Sequence, residues 1–258
     1  MSMQDNQATM SYRITALESA MKVLKIIGQH PGLHASQIAQ HTGLTKSRVF
    51  RILKTFEESE HVWLDQQNAA YLGMATFILG RCAEEQYSLA QRAQPVLDQL
   101  ATATQENVHL AVREGLNTLV VDVRLSSHPL RMYARVGRIG PLHAGGTSKV
   151  LLAYAPTDII ETILAAPLVR FTDATITSAD ILHETLARIR QDSSHVAISD
   201  LEAETFSVAA PVFDHQGSVI AALSVAGPLI RFNPTKEEAY LRLVKAAARQ
   251  LSQGIVSD

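Results

Sequence analysis

Apolar residues recur at helical spacing through Ile14, Leu17, Met21, Leu24 and Ile27, and Pro31-Gly32 ends that run. A second short run turns Ile38 and Ala39 inward, behind Ser36 as its expected cap. Thr42-Gly43-Leu44 breaks it, with glycine where a left-handed residue is needed. Thr45 is the expected cap of a third run, whose apolar stripe is Val49, Ile52, Leu53 and Phe56. Val62-Trp63-Leu64 and Ala70-Tyr71-Leu72 flank the polar tip Asp65-Gln66-Gln67-Asn68 and read as a β-hairpin. Three helices and a hairpin predict a winged helix-turn-helix over residues 1–73.

From Met74 to about Thr104 the pattern is helical, split near Tyr87-Ser88. Pro95 fits the first turn of a later segment or a kink. This stretch, 74–104, is the expected linker. The pattern then changes. Val108–Val112, Leu119–Leu125, Arg131–Val136, His195–Ser199, Phe206–Phe213 and Ser218–Val225 read as strands. Helices are expected at Ser148–Tyr154, Thr157–Ala165 and Ser178–Gln191, and a last one from Thr235, where Thr235-Lys-Glu-Glu238 reads as a capping box. Asp214-His-Gln-Gly217 marks a hairpin. Strands joined by both hairpins and helices favour an α+β antiparallel sheet over a doubly wound parallel one, making 105–258 the second domain.

Charge sharpens the first domain. Between Ser19 and Phe56 lie six cations (Lys22, Lys25, Lys46, Arg48, Arg51, Lys54) and no Asp or Glu, on a chain of formal net charge −2. A local basic face on a near-neutral protein suits releasable DNA binding. The candidate DNA contacts are Ser36, Thr45, Lys46, Ser47, Arg48, Arg51 and Lys54. The tip Gln66–Asn68 either touches DNA or is a plain turn. The single cysteine, Cys82, excludes an intramolecular disulfide. The opening MSMQDNQATMSYR shows no secretory pattern, and the apolar stretch around Val219–Ile230 is too short and too interrupted to span a membrane. A cytoplasmic protein is expected.

The second domain carries a different chemistry. Gly145-Gly146-Thr147 precedes an apolar helix, and a helix N-terminus holds an anion through free N–H groups and the helix dipole. The alternative is a tight strand-to-helix turn without a ligand. No Walker loop is present. Ser207 and Ser224 sit in apolar strands and offer hydroxyls to a buried ligand or to backbone. His143 and Ser207 raise the question of a hydrolase, but there is no G-x-S-x-G elbow. His109, His128, His183, His195 and His215 are scattered with no H-x-x-x-H spacing, and no metal site or cofactor is expected.

These motifs resemble the IclR family of transcriptional regulators over nearly the whole chain. Gly43-Leu44, Ser47, Val49, Arg51, Leu53 and Phe56 follow the family's helix-turn-helix pattern, and Tyr71-Leu72-Gly73 its wing closure. Gly137 to Ala153 follows "G-x-x-x-P-L-H-A-x-x-x-G-K-A-L-L-A", and Ala209 to Arg231 the paired-strand pattern. The resemblance implies a winged helix, a linker helix and a GAF-like effector domain. It implies a homodimer or a dimer-built tetramer on near-palindromic operator DNA, controlling a catabolic operon. It implies an aliphatic or aromatic organic acid as effector, at Met132, Gly146, Thr147, Asp200, Ser207 and Ser224. The chain departs from the family at Glu204-Thr205-Phe206, where "G-[LIV]-R" is usual, and at Ser148, where glycine precedes the motif lysine. Arg48 stands at a frequent threonine. The runner-up function is an enzyme or sensor fused to a helix-turn-helix and acting on a small carboxylate.

Overall fold

A computed structural model describes residues 14–86 and 88–255. The reading of the opening segment, residues 1–13, as lacking a secretory pattern lies outside them. The chain divides into two units, Met1–Gln86 and Tyr87–Asp258.

In the first unit, helices α1 (Thr15–Gln29), α2 (Ala35–Thr42) and α3 (Lys46–Glu58) are followed by the hairpin β1 (Val62–Leu64) and β2 (Ala70–Leu72), then α4 (Met74–Gln86). The core is Val23, Ile27, Ile38, Val49, Leu53, Val62 and Ala70. The stripe expected on α1 is corrected: of its members Ile27 is buried and Leu24 partly so, while Ile14, Leu17 and Met21 are exposed and Val23 takes the inward position. Gly43 has φ 71 and donates to the Ala39 carbonyl at 2.9 Å, so it ends α2 as a left-handed residue. Thr45 caps α3, accepting from the Arg48 N–H at 3.3 Å. The cap of α2 is not Ser36. The helix starts one residue earlier, and the His34 N–H donates to Gln37 Oε1 at 2.9 Å. Ser36 lies instead in the exposed first turn. At the wing, Asp65 Oδ1 accepts from the N–H groups of Gln67 and Ala69, closing the tip on itself.

The expected linker is two helices that belong to different units. α4 falls in the first. α5 (Ser88–Thr104) falls in the second, where it packs on the last helix, α9 (Pro234–Ile255), and on strand β3 (Asn107–Glu114). Pro95 lies inside α5, not in its first turn.

The remaining elements of the second unit are β4 (Asn117–Arg124), β5 (Ile139–Pro141), α6 (Gly146–Ala153), α7 (Thr157–Ala165), α8 (Ala179–Asp192), β6 (His195–Ile198), β7 (Thr205–Phe213) and β8 (Val219–Pro228). They form a six-stranded sheet in the order β5-β4-β3-β8-β7-β6, antiparallel at every pairing. Period-two alternation divides its side chains. Val108, Leu110, Phe206, Val208, Leu223 and Val225 pack with residues of α5 and α9, such as Leu97 and Val244. Ala111, Ala209 and Ala222 face the other way, with Val150 and Leu152 of α6 and Leu182 and Ile189 of α8. Alanines on that face let α6 come close to the sheet.

Two expectations are corrected here. Arg131–Val136 alternates like a strand but is irregular. Its carbonyls go to side chains instead of a ladder: Met132 accepts from Asn107 Nδ2 at 3.0 Å and Tyr133 from Arg138 Nη1 at 3.2 Å. Bonding to β4 starts only at Gly137, whose N–H reaches the Val120 carbonyl at 2.8 Å. Thr235 does not cap α9. Asn233 does, its Oδ1 accepting from the Lys236 N–H at 2.9 Å, with Pro234 at the first helical position.

Candidate functional sites: a basic helix and a polar cavity

Helix α3 buries Val49 and Leu53 and turns the opposite side to solvent. Thr45, Lys46, Ser47, Arg48, Arg51 and Lys54 are all exposed, as is Ser36 on α2. The side chains of Lys46, Ser47 and Arg51 have no hydrogen-bond or ion-pair partner among the described residues, whereas two of the expected cations have partners. Arg48 Nη2 donates to the Thr15 carbonyl at 3.3 Å, and Lys54 pairs with Glu57 at 2.6 Å. Lys22 also has a structural task, donating to the Thr42 carbonyl at 2.6 Å where α2 ends. The basic surface is therefore narrower than the sequence count.

In the second unit the N-terminus of α6 faces the sheet beside a half-open cavity of about 90 Å³. At roughly 10–15 Å³ per water position that space holds several waters or one small organic molecule. Met132, Gly146, Thr147, Asp200, Ser207 and Ser224 all line it. Gly146 is obligatory: a Cβ there would lie 2.4 Å from Ser207 Oγ. That close approach sets the first turn of α6 directly over β7, with its N–H groups toward the cavity.

Asp200 is a buried carboxylate with two partners on one oxygen. Its Oδ2 accepts from Lys149 Nζ at 2.6 Å and from the Gly145 N–H at 2.8 Å, while Oδ1 has no partner among the described residues. The motif lysine thus neutralises Asp200 and does not itself line the cavity. Ser148, the departure from glycine, accepts from Thr118 Oγ1 at 2.9 Å. Glu204 adopts φ 55, the left-handed conformation that the usual glycine would take without strain. Its side chain is exposed and does not line the cavity. The glutamate that does is Glu202, which is paired with Arg138. His143 has its Nε2 2.9 Å from the Val169 carbonyl, a structural contact.

The structure adds cavity residues that the motifs did not mark, chiefly His109, Arg138 and Glu202. Burial and the charge of Arg138 lower the His109 pKa from 6.5 to about 4. Behind α6, His195 is lowered to about 3 by burial, then by Lys149 and Arg188. Among the described residues no group of three His, Cys, Asp or Glu could hold a metal ion, and no helix is long and apolar enough to cross a membrane.

A winged helix-turn-helix with an exposed basic second helix, followed by a sheet domain, defines a DNA-binding transcriptional regulator. The IclR helix-turn-helix domain matches residues 16–62, and the bacterial transcriptional regulator IclR C-terminal domain matches 83–253. The chain belongs to the IclR family, a family of regulators and not of enzymes. It is 32% identical to the regulator BhcR of Paracoccus denitrificans over 94% of this chain and 88% of that protein. It is 29% identical to KipR of Bacillus subtilis over 92% and 95%. Among solved structures, an IclR homolog from Microbacterium hydrocarbonoxydans, complexed with 4-hydroxybenzoate, aligns with a TM-score of 0.83 at 25% identity over 93% and 98% of the two chains. A regulator from Alicyclobacillus acidocaldarius shares the fold, with a TM-score of 0.86 at 23% identity over 95% and 100%.

Proposed function

We propose that this protein controls a catabolic operon in the cytoplasm, binding a near-palindromic operator as a homodimer or dimer of dimers under the control of a small organic acid. The α3 residues Lys46, Ser47, Arg48 and Arg51 read bases and phosphates, with Thr45, Lys54 and Ser36 beside them. A single recognition helix reads too few base pairs to specify a genomic site, and two-fold symmetry doubles them.

The observation that carries the acid is the cavity. The α6 N-terminus and the hydroxyls of Thr147, Ser207 and Ser224 converge there, and none of these hydroxyls hydrogen-bonds to another described residue. Lys149 cancels the charge of Asp200, so a carboxylate at the helix terminus does not meet a naked anion. Met132 and the alanines give an apolar wall, which is the usual build of a small-molecule site. The 4-hydroxybenzoate held by the Microbacterium relative is an acid of this class.

The test is selection of genomic DNA fragments on the full-length protein, followed by anisotropy titration of the enriched site with and without aliphatic and aromatic acids. At least one acid is expected to change operator affinity severalfold and to raise the melting temperature, since a ligand at a hundredfold excess over Kd adds about 2.7 kcal/mol. Ser224→Val, which narrows the cavity, is expected to remove both effects. An acid response that survives Ser224→Val would place the effector elsewhere.

A further inference from the structure

We infer that His109 is a specificity-determining residue of the effector cavity: together with Ser224 it selects an acid with a neutral hydroxyl at the end remote from its carboxylate. The inference rests on the acid reading above and names what that acid must carry.

Strand pairing places the two residues side by side. His109 on β3 is opposite Ser224 on β8, and alternation turns both toward the face that carries Ala111 and Ala222. Both line the cavity, and neither side chain hydrogen-bonds to another described residue. Ser224 is buried and His109 half-buried, and polar groups withdrawn from solvent normally have partners, which a ligand in the cavity supplies. Ser207, against which α6 begins, pairs with Ala226, one row along the sheet, and β7 is two strands from β3. With strands about 4.8 Å apart and rows about 6.6 Å apart, the Ser207 and His109 Cα atoms are on the order of 12 Å distant. An acid held at the Ser207 end of the cavity therefore has its other end on the His109 side.

The charges around the imidazole decide which group it takes. Arg138 and Arg135 face it from the 131–138 segment, and Asp200 and Glu202 from the connection between β6 and β7. Arg138 is paired with Glu202, and Asp200 with Lys149 of α6. Burial and Arg138 keep the ring neutral at physiological pH. A neutral imidazole offers one donor and one acceptor. A hydroxyl pairs with whichever ring nitrogen faces it, accepting from an N–H or donating to a bare nitrogen. A carboxylate, which only accepts, pairs with the facing nitrogen in one tautomer alone. An unsubstituted acid leaves both ring nitrogens unpaired.

The experiment uses the full-length protein and two matched probe sets: benzoate, 4-hydroxybenzoate and terephthalate; propionate, 3-hydroxypropionate and malonate. Affinities come from calorimetry. The hydroxylated member of a set that binds is expected to be about tenfold tighter than its two analogues, the value of roughly one buried hydrogen bond. His109→Leu and His109→Phe, which lack both ring nitrogens, should retain the unsubstituted acid and lose the hydroxyl preference. Either variant decides, whichever folds as judged by its ligand-free melting curve. Ser224→Ala should reduce the same preference. A wild-type preference for the dicarboxylate, or a hydroxyl preference unchanged without the imidazole, overturns the role of His109 while leaving the acid reading in place. Failure of all six acids to bind wild type overturns both.

Discussion

At the residue scale, exposure does not make all the α3 cations equivalent. The exposed Arg51 side chain has no partner among the described residues, whereas Arg48 is held against the Thr15 carbonyl. Arg51→Ala is therefore expected to cost about 1–3 kcal/mol of operator binding and to relax one base position. Lys46→Ala should weaken binding to all sequences alike and make the salt slope shallower by about one. Anisotropy over a salt series, on operator and scrambled DNA, separates the two, and unchanged affinity in both variants would remove α3 as the reading helix. The histidines give a second residue-scale prediction. His109 and His195 stay neutral when folded, with pKa values of about 4 and about 3 against 6.5 unfolded. Below about pH 6.5 the unfolded chain binds protons that the folded chain refuses, so stability falls with falling pH, by up to about 1.4 kcal/mol per unit for each imidazole. Urea melts between about pH 7 and pH 5 should show this slope, and His195→Phe should flatten it. Neither imidazole was legible as special in the sequence, because burial and the approach of Arg138 or Lys149 depend on strand order.

At the element scale, legibility followed locality. Helix α3, its Thr45 cap, the Gly43 turn and the Asp214–Gly217 hairpin are each written within a few adjacent residues, and the structure forms all of them. The segment Arg131–Val136 was misread because its alternation is local while its partners, Asn107 and Arg138, bind its carbonyls from outside a ladder. The α2 cap was misread because Ser36 competed with His34-x-x-Gln37, whose bond back to the cap is a side-chain choice. The α6 motif was legible as an anion-binding terminus, but the role of its lysine was not. Lys149 and Asp200 are 51 residues apart in number and form a pair whose side chains are each 4% exposed. Breaking one side of such a pair leaves a buried charge, so Lys149→Met should cost about 3–5 kcal/mol. The double variant Lys149→Met, Asp200→Leu should recover part of that loss, less the bond Asp200 gives to Gly145. Denaturant titration of wild type, Lys149→Met, Asp200→Leu and the double variant measures it. A double variant no more stable than Lys149→Met would show that Asp200 matters for reasons other than its charge.

At the scale of the whole molecule, the proposed switch must connect a DNA-reading unit and an acid-binding unit that are consecutive in the chain, with α4 ending the first and α5 opening the second. An acid in the cavity changes DNA affinity only by binding two states of the protein differently, however tightly it binds either. Coupling of 1–3 kcal/mol, typical for such systems, corresponds to about 5–150-fold in operator affinity. Thermodynamics then requires operator DNA to change acid affinity by the same factor. Four titrations close the cycle: acid onto free protein, acid onto the operator complex, operator onto free protein, and operator onto the acid complex. The two ratios should agree within error for wild type, and both should approach one in Ser224→Val, whose change lies in the second unit. Arg51→Ala lies in the first unit. It should weaken operator binding with and without acid by a common factor, leaving the coupling ratio unchanged, provided its side chain touches DNA alike in both states. If instead Arg51→Ala abolishes the coupling, the acid acts by redirecting that side chain, and the switch resides in the recognition helix itself.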